Sequence, residues 1–331
     1  MTAPAGQPIK VSVIIPVYGV ERYIERCARS LFSQTMTDGI EFIFVDDHTP
    51  DRSIDIVNSL LPQYPLRIPQ TRIVTHAENQ GLAVARVTGL NAARGEYVIH
   101  CDSDDWVEPD MYQSLLDEAH RTGADITGCD FFEELPDGPR YKRQLFNLPH
   151  NQLLLQLATA GEIEGFLWNR LVRRDFYLTG RYHAPKGTTL FEDLAVTLPM
   201  HAATEKVAYV PRALYHYNRT IPSSMSSVID LKTAASATAV LLGLIGAINQ
   251  QQIKDSISNR LMHYLFAPIT TCRIYSPDLW RREYKSVASA YSRYIPLQHK
   301  VSQCLVTHHL DKLNLLFVKS YTRLINFIRR R

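Results

Sequence analysis

Two groups of carboxylates come directly after apolar runs of the sequence. Asp46 and Asp47 form the first group, and Asp102, Asp104 and Asp105 form the second. Carboxylates packed near one crevice raise each other's pKa unless a cation neutralises them. Mg²⁺ or Mn²⁺ would do so, because these ions bind a few protein carboxylates together with phosphate oxygens. The second group predicts such a metal site, whereas an isolated Asp46–Asp47 pair could equally be a turn or a helix cap.

Two further charged features could contact an anion or a reacting group. Arg86 lies in the first turns of a predicted helix that opens after a strand, where an arginine is either an anion contact or a surface residue. Glu192 and Asp193 follow a glycine-containing loop at residues 185–189 and precede a helical pattern. A helix N-terminus stabilises carboxylates, so this pair is either a simple helix start or an acidic group exposed at an edge.

The elements that must position these residues alternate between apolar strands and amphipathic helices. Strands are predicted at residues 9–16, 41–45, 72–75, 96–101 and 124–131, with helices between them, one of which is expected to begin at Thr49 and Pro50. Farther along, residues 153–158, the region of Trp168 and residues 190–201 have helical patterns, and residues 207–217 look extended. This order predicts an α/β fold with a mostly parallel sheet, helices on both faces, and a ligand at the carboxyl ends of the strands.

Length and charge divide the chain into two parts. With 331 residues, 45% of them hydrophobic, the chain can form one large core and a smaller one. Residues 1–230 carry 21 Lys/Arg and 29 Asp/Glu, whereas residues 231–331 carry 15 and 4. We therefore predict one domain at 1–230 and a helical, basic C-terminal annex at 231–331. The charge-free residues 233–248 are too few to span a bilayer, which favours a buried annex helix over a re-entrant membrane segment.

The cysteines bear on the cellular compartment. The five, which are Cys27, Cys101, Cys129, Cys272 and Cys304, are far apart and form no C-x-x-C pair. This spacing favours buried thiols in a reducing compartment. No export signal is visible at the start of the sequence, so a cytoplasmic location is expected.

Six segments, in this order, resemble a family 2 glycosyltransferase with the GT-A (Rossmann-like) fold, of the inverting, non-processive type that builds bacterial cell-surface polysaccharides. They are Val11-Ser-Val-Ile-Ile-Pro-Val-Tyr18, Val45-Asp-Asp47, Asn79-Gln-Gly81 with Ala85-Arg86 and Gly89, Gly95-Glu-Tyr97, Asp102-Ser-Asp-Asp105-Trp106 and Glu192-Asp193. The resemblance covers about residues 9–220 and leaves out residues 231–331. The sequence departs from the family pattern at Gly19, where asparagine is usual, and in the segment 48–51, which reads His-Thr-Pro-Asp where Gly-Ser-Thr-Asp is usual.

The resemblance implies a role for each matched residue. Asp193 would be the base that takes the acceptor's proton, and Asp102 and Asp104, with Asp105 as a further candidate, would hold Mn²⁺ or Mg²⁺ against the donor's diphosphate. The nucleotide would lie against Pro16, Val17, Tyr18, Glu21, Asp47, Arg86, Asp102 and Ser103, with Asp47 accepting a hydrogen bond from the base, which is uracil in a UDP-sugar. Candidate diphosphate or acceptor contacts are Trp168, Glu192, His216 and Arg219. Trp168 could instead be a core residue, and His216 is either a third metal ligand or a packing residue.

The implied reaction moves one sugar from a nucleotide-sugar to a hydroxyl of a saccharide or lipid-linked acceptor with inversion. Two other functions stay open, namely a catalytically silent nucleotide-sugar-binding subunit, which would lack a base, and a sugar-phosphate nucleotidyltransferase, which would favour a glycine-rich basic loop after the first strand. A dehydrogenase is disfavoured because no G-x-G-x-x-G follows that strand. A processive synthase is disfavoured because the sequence contains no Gln-x-x-Arg-Trp.

The C-terminal residues suggest a membrane contact. Basic residues Lys312, Lys319, Arg323, Arg329, Arg330 and Arg331 are interleaved with Leu313, Leu316, Phe317, Leu324, Ile325, Phe327 and Ile328. A helix with this pattern would bind an anionic membrane at the cytoplasmic face through its apolar side and its charges. Nucleic acid would leave the apolar side uncovered, so no nucleic-acid partner is expected. The alternative is a helix packed on the annex with a solvated basic end.

Overall fold

The structure, a computed structural model, describes residues 8–159, 161–221 and 230–328, with side chains up to residue 325. The chain divides into two compact units, which are residues 1–187 with 192–224, and residues 188–191 with 225–331. The short segment 188–191 thus belongs to the second unit, although the predicted first domain includes it. As functional domains, 1–230 and 231–331 stay predictions.

The described part of the first unit contains a nine-stranded sheet. Its strands are β1 (Val11–Val17), β2 (Ile40–Asp46), β3 (Thr71–Thr75), β4 (Tyr97–His100), β5 (Trp106–Val107), β6 (Ile126–Leu135), β7 (Gly138–Lys142), β8 (Arg170–Arg173) and β9 (Val207–Asn218). They lie in the order β3-β2-β1-β4-β8-β6-β9-β5, and β7 pairs with β6. The strands β3, β2, β1 and β4 are parallel, as are β6 and β9, whereas β8 is antiparallel to both of its neighbours.

Helices cover both faces of this sheet. They are α1 (Ile24–Phe32), α2 (Ser53–Leu60), α3 (Leu82–Ala92), α4 (Met111–Thr122), α5 (His150–Thr159), α6 (Arg174–Thr179) and α7 (Glu192–Ala203). The β1 side chains Val11, Val13 and Ile15 pack in a core with α1, α2 and α4, and Ile14 packs in a second core with α3, α6 and α7. The alternation follows from the pleat of a strand that is buried on both faces. The predicted α/β fold is therefore confirmed.

Two local predictions are wrong. The helix expected at Thr49 and Pro50 begins at Ser53 instead, because the Thr49 hydroxyl accepts a hydrogen bond from the distant Gly19 N–H rather than capping a helix. The region of Trp168 is not helical, since Trp168 precedes strand β8 in an irregular segment.

The described part of the second unit is helical. Its α-helices are α8 (Leu231–Ala247), α9 (Gln251–Thr270), α10 (Pro277–Leu279), α11 (Lys285–Ala290), α12 (Leu297–Thr307) and α13 (Asp311–Ile328). Helix α8 contains the charge-free stretch except its last residue, Ile248, and buries Ala234, Ala237 and Leu241. Within the described residues, no helix has both the length and the apolar character needed to cross a membrane.

The cysteines are not all buried as expected. Cys27, Cys101 and Cys129 are buried in the first unit, but Cys272 and Cys304 of the second unit are exposed. The correction follows from their positions, because Cys272 lies in a short 3₁₀ turn and Cys304 on an outward face of α12.

Candidate active site

The candidate site lies at the carboxyl ends of parallel strands. Tyr18, Asp47 and His76 directly follow β1, β2 and β3, and Asp102 follows β4 by two residues. Because these four strands are parallel and adjacent, their carboxyl ends share one edge of the sheet. The predicted nucleotide loop and both predicted acidic groups therefore start from the same edge.

Arg86 joins the predicted base to the predicted metal loop. It lies on α3, is 5% exposed, and donates from Nη2 to Asp102 Oδ1 at 2.9 Å and from Nη1 to Asp193 Oδ1. Burial alone would lower the pKa of Arg86, but the carboxylates of Asp193 and Asp102 outweigh burial and raise it. The side chain is therefore a permanent cation at the centre of the site and not a surface residue, and its contact with a nucleotide or phosphate stays a prediction.

Asp193 is held from two sides at the start of α7. Its Oδ1 accepts from Arg86, and its Oδ2 accepts from the backbone N–H of Leu167 at 3.3 Å. Burial raises the pKa of Asp193 to about 7, and Arg86 opposes this shift. A carboxyl with a pKa near neutrality is suited to general-base chemistry, because it can both accept and release a proton.

Asp102 and Asp104 are the two carboxylates that remain available at the end of β4. The Asp102 side chain is 26% exposed. Burial and the charge of Asp102 raise the pKa of Asp104 to about 6, and among the described residues no other side chain donates to the Asp104 carboxylate. Two neighbouring acidic groups with so few donors match the oxygen ligands of a divalent cation.

Asp105 is turned away from the other two carboxylates. It is 1% exposed, its Oδ2 accepts from the Tyr215 hydroxyl at 2.7 Å, and its Oδ1 accepts from the Asn218 N–H at 2.7 Å. The Tyr215 hydroxyl also accepts from the Asp102 N–H at 3.1 Å. Asp105 therefore ties the metal loop to β9 with both of its oxygens, and its candidate role as a metal ligand stays a prediction. No group of three or more His, Cys, Asp or Glu side chains in the described residues is arranged to hold an ion.

Asp47 organises the start of α3. It is 3% exposed, and its two oxygens accept from the N–H groups of Gln80 and Gly81, each at 2.8 Å. The Nδ1 of His76 lies 2.7 Å from Asp47 Oδ1, and the Nε2 of His76 lies 2.8 Å from the Thr88 hydroxyl on α3. Both carboxylate oxygens thus have protein donors, and the contact of Asp47 with a nucleotide base stays a prediction.

The loops after β1 and β2 interlock at the two departures from the family pattern. Gly19 has φ of +67° and donates its N–H to the Thr49 hydroxyl at 2.9 Å. Glu21 donates its N–H to Asp51 at 2.9 Å and accepts from the Arg52 N–H at 3.1 Å. Gly19 and Thr49, which depart from the family pattern, therefore connect the two loops by a hydrogen bond.

Other predicted nucleotide contacts differ in exposure. Tyr18 is 50% exposed, so its ring is accessible at the edge of the sheet, whereas Val17 and Ser103 are buried. Pro16 is buried within β1. Contact of these residues with a nucleotide stays a prediction.

Trp168 lies in the core. It is 1% exposed, and its ring stacks on Tyr215 with centroids 4.1 Å apart and on Phe166 at 4.6 Å. The structure thus favours the core alternative over an acceptor wall.

Glu192 is the first residue of α7, and Arg219 is a half-exposed residue after β9 whose guanidinium lies 3.8 Å from Glu133.

His216 is a packing residue. Its ring stacks between Trp106 and Phe132, with centroids 5.0 and 5.1 Å away. Its Nδ1 lies 2.7 Å from Glu134 and its Nε2 lies 2.9 Å from Glu108. Because both nitrogens already have carboxylate partners, the metal-ligand alternative for His216 is not supported.

Three residues that are not among the predicted site residues contribute to the site. His76 orients Asp47, Tyr215 bonds both Asp102 and Asp105, and Leu167 donates to Asp193. His76 directly follows a strand at the edge where a ligand is expected, so its position in the sequence could have identified it. The other two act through tertiary contacts, and Leu167 acts through its backbone, so its residue type carries no signal.

Comparison with known proteins assigns the family. A sequence profile described as glycosyl transferase family 2 matches residues 12–179. The chain belongs to this family. Glycosyltransferase EpsJ of Bacillus subtilis, which is described as uncharacterized, is 34% identical over 224 residues, covering 66% of this chain and 63% of EpsJ. Glycosyltransferase GlyA of Streptococcus pneumoniae is 30% identical over 278 residues, covering 76% of this chain and 38% of GlyA. The chain therefore spans less than two thirds of the length of these relatives.

Two solved structures have a similar fold. Staphylococcus aureus TarS 1-349 in complex with UDP-GlcNAc matches with a TM-score of 0.69 and 16% identity, over 95% of this chain and 92% of that chain. The mannosyltransferase PcManGT from Pyrobaculum calidifontis, in complex with GDP-Man and Mn²⁺, matches with a TM-score of 0.55 and 14% identity, over 96% and 90%. At these identities the likeness concerns the fold, which is the predicted GT-A type.

Proposed function

We propose that this chain is an inverting glycosyltransferase that moves one sugar from a UDP-sugar to a hydroxyl of a saccharide or lipid-linked acceptor. The observation that carries the proposal is the double ion pair of Arg86, which binds Asp193 and Asp102 with one guanidinium. It brings a candidate base next to a candidate metal ligand. Family membership supports the reaction class, and the UDP-GlcNAc in the TarS structure supports the donor class.

In the proposed reaction, Asp193 takes the proton of the acceptor hydroxyl. As the hydroxyl oxygen bonds to the anomeric carbon, the bond from that carbon to the donor's diphosphate oxygen breaks on the opposite face. Its electron pair leaves with the nucleoside diphosphate, and the product has the opposite anomeric configuration. Arg86 favours the deprotonated form of Asp193 that this step needs, because its charge opposes the effect of burial.

Asp102 and Asp104 are the residues proposed to hold a divalent cation. Their two carboxylates fit this role because Asp104 is half-buried beside Asp102 and has no other described side chain as donor. Bound there, Mn²⁺ or Mg²⁺ would supply positive charge to the departing diphosphate. The Mn²⁺ in the PcManGT structure supports the choice of ion.

The proposed function is tested by binding and turnover. Calorimetry with UDP-GlcNAc, other UDP-sugars and GDP-sugars in the presence of Mn²⁺ identifies the donor, and UDP or GDP release measures turnover. Binding without turnover on any of a panel of saccharide acceptors would support the silent-subunit alternative. Formation of a nucleotide-sugar from a sugar phosphate and a nucleoside triphosphate would support the nucleotidyltransferase.

We further propose that the second unit contacts an anionic membrane at the cytoplasmic face. Helix α13 buries Asn314 and Val318, so it packs within its unit. Large hydrophobic side chains nevertheless remain exposed on α12 and α13 and in the turn between them, namely Leu297, Val301, Leu310, Leu313, Leu316, Tyr321 and Leu324. We call these seven residues the apolar surface of the second unit.

Basic side chains accompany the apolar surface. Lys300, Lys312, Lys319 and Arg323 are exposed on the same two helices. Each basic residue near an anionic leaflet contributes roughly 1 kcal/mol, and the leucines would supply apolar insertion. Arg329, Arg330, Arg331 and the side chains of Phe327 and Ile328, which belong to the same predicted pattern, lie outside the described residues.

A further inference from the structure

An irregular segment before β8 carries the second contact of Asp193. Residues 161–169 form neither a helix nor a strand, and the N–H of Leu167 in this segment donates to Asp193 Oδ2 at 3.3 Å. A hydrogen bond from an irregular segment is only as well oriented as the segment itself. The orientation of Asp193 therefore depends on the groups that hold residues 164–167 in place, in addition to Arg86.

Arg170 is the main donor to this segment. It is fully buried at the start of β8, its Nη2 donates to the Glu164 carbonyl at 2.6 Å, and its Nη1 donates to the Phe166 carbonyl. Two more donors are used, since Nη1 also donates to Asn169 Oδ1 at 2.6 Å and Nε donates to His201 Nε2 at 3.1 Å. The guanidinium thus holds the carbonyls on both sides of Gly165.

Two neutral side chains complete the attachment. The Thr197 hydroxyl on α7 donates to the Gly165 carbonyl at 3.0 Å. Gln144 Oε1 accepts from the Glu164 N–H at 2.9 Å. Three consecutive carbonyls, from Glu164 to Phe166, therefore have side-chain donors, and Leu167 follows them directly.

Burial of the charged Arg170 side chain costs free energy of folding unless other groups compensate it. Among the described residues no carboxylate lies within hydrogen-bonding distance of Arg170, and burial lowers its pKa to about 9. The charge of the Asp193 carboxylate opposes this lowering, although Asp193 makes no hydrogen bond with Arg170. A buried cation that has no carboxylate in direct contact destabilises a fold unless hydrogen bonds compensate it. Here the compensation comes from the carbonyls of the segment that contacts Asp193, which belong to half-buried residues and gain donors in return.

We propose that Arg170 is a positioning residue that holds the carbonyls of Glu164 and Phe166 so that the Leu167 N–H stays directed at Asp193. The proposal rests on the proposed function only in that Asp193 is the base. Arg170 does not touch donor or acceptor in this proposal. Its effect is transmitted through the backbone of residues 164–167.

The chemistry predicts which substitutions are tolerated. Arg170→Met fills the space but donates no hydrogen bond, so the carbonyls of Glu164 and Phe166 lose their donors. Arg170→Lys keeps an ammonium that can donate to two carbonyls at once. Thr197→Val removes one attachment of the segment and leaves Arg170 in place. Arg173→Met is the matched control, because Arg173 lies on the same strand but is 33% exposed and pairs with Asp125.

Amide hydrogen exchange of the full chain tests the positioning itself. We expect peptides covering residues 162–168 to exchange about 10-fold faster in Arg170→Met than in the wild type. In Arg170→Lys they should exchange more slowly than in Arg170→Met, and in Arg173→Met they should exchange at the wild-type rate. Thr197→Val should give an intermediate rate, and it keeps the test valid if Arg170→Met fails to fold. This measurement needs neither donor nor acceptor, so it does not depend on the proposed function.

Turnover with water as the acceptor tests the consequence for the base. With UDP-GlcNAc and Mn²⁺, Arg170→Met should lower the maximal rate of UDP release about 10- to 100-fold, part of the ~10²–10⁴-fold that a general base contributes. The KM for UDP-GlcNAc should change less than about 3-fold, because the donor contacts are intact, and Arg170→Lys should recover most of the rate. Unchanged exchange in Arg170→Met, or faster exchange with an unchanged rate, would overturn the proposal. If the wild type binds the donor but releases no UDP with water or with any of the saccharide acceptors, that result would count against the proposed function instead, while the exchange result would still decide whether Arg170 positions the segment.

Discussion

Arg86 and Asp193 form a buried ion pair although 107 residues separate them in the chain. Arg86 lies on α3 and Asp193 at the start of α7, so the pair connects two helices that cover the same face of the sheet. The same guanidinium binds Asp102 at the end of β4. Three elements thus meet at one charged group, and the sequence predictions for the base, the phosphate contact and the metal loop refer to one place.

Replacing Asp193 by asparagine should abolish most turnover and preserve donor binding. Asparagine cannot accept the proton, and a general base typically contributes ~10²–10⁴-fold to the rate. Calorimetry with the nucleotide-sugar should give a similar affinity, while nucleotide release falls by that factor. Asp175→Asn is the control, because the Asp175 side chain is 85% exposed on α6.

The configuration of the product checks the same role. An α-linked donor should give a β-linked product, which NMR of the anomeric proton distinguishes. Retention of configuration would remove Asp193 from the role of inverting base, whatever the rate of the variant.

Asp104 and Asp105 should respond differently to substitution. Asp104→Asn should abolish metal-dependent transfer with little change in stability, because among the described residues no other side chain donates to its carboxylate. Asp105→Ala should instead lower the free energy of unfolding by about 2–4 kcal/mol, since it leaves the Tyr215 hydroxyl and the Asn218 N–H without their partner. Urea unfolding and nucleotide release measure the two effects separately.

Chelation tests the metal without any substitution. Excess EDTA should stop transfer by the wild type, and added Mn²⁺ should restore it. Full activity in EDTA would show that Asp102 and Asp104 serve another purpose.

The parallel half of the fold could be predicted because its strands are buried on both faces. All seven residues of β1 are buried, so the strand reads as one apolar run without alternation. The acidic groups at the ends of β2 and β4 then follow from the general position of ligand sites in such sheets. This reasoning places Asp47 and Asp102 at one edge without any knowledge of their contacts.

The rest depends on tertiary contacts that local patterns do not contain. Thr49 and Pro50 have the composition of a helix start, but Thr49 bonds to Gly19, 30 residues earlier. The segment at Trp168 has no regular structure because side chains from other elements, such as Thr197, make hydrogen bonds with its backbone groups. Asp105 has the same residue type and setting as Asp104, and only its bonds to β9 reveal that it faces inward.

Glu41 should make the stability of the first unit depend on acid pH. It is 1% exposed and accepts from the Ser12 hydroxyl at 2.6 Å, from the Arg94 guanidinium at 2.8 Å and from Arg72 at 3.0 Å. Burial alone would raise the pKa of Glu41, but the bonds from Ser12 and Arg94 outweigh it and lower the pKa below its ordinary 4.5. The carboxylate therefore stabilises the fold above the unfolded pKa, and this contribution is lost as pH falls toward the lower folded value.

The variant Glu41→Gln isolates this contribution. At pH 7 it should lower the free energy of unfolding in urea by about 2–4 kcal/mol, because the buried acceptor of two arginines loses its charge. The difference from wild type should shrink as the pH is lowered from 6 to 3. Glu96→Gln, whose side chain is 45% exposed, should cost less than about 1 kcal/mol at any of these pH values. A difference that stays constant with pH would contradict the assignment to the Glu41 charge.

The membrane contact should depend on outward-facing leucines of α13. Leu313, Leu316 and Leu324 are 53%, 62% and 55% exposed, so replacing all three by glutamine removes apolar surface without creating a cavity. Co-sedimentation with phosphatidylglycerol vesicles should fall at least about 10-fold in this variant, since each leucine inserted into the bilayer contributes on the order of 1 kcal/mol. Leu66→Gln is the matched control, because Leu66 is 51% exposed but belongs to the first unit.

High salt and phosphatidylcholine vesicles should weaken wild-type binding, because they screen or remove the attraction of the basic residues. Equal partitioning of the triple variant and the wild type would show that the apolar surface of the second unit is not what binds.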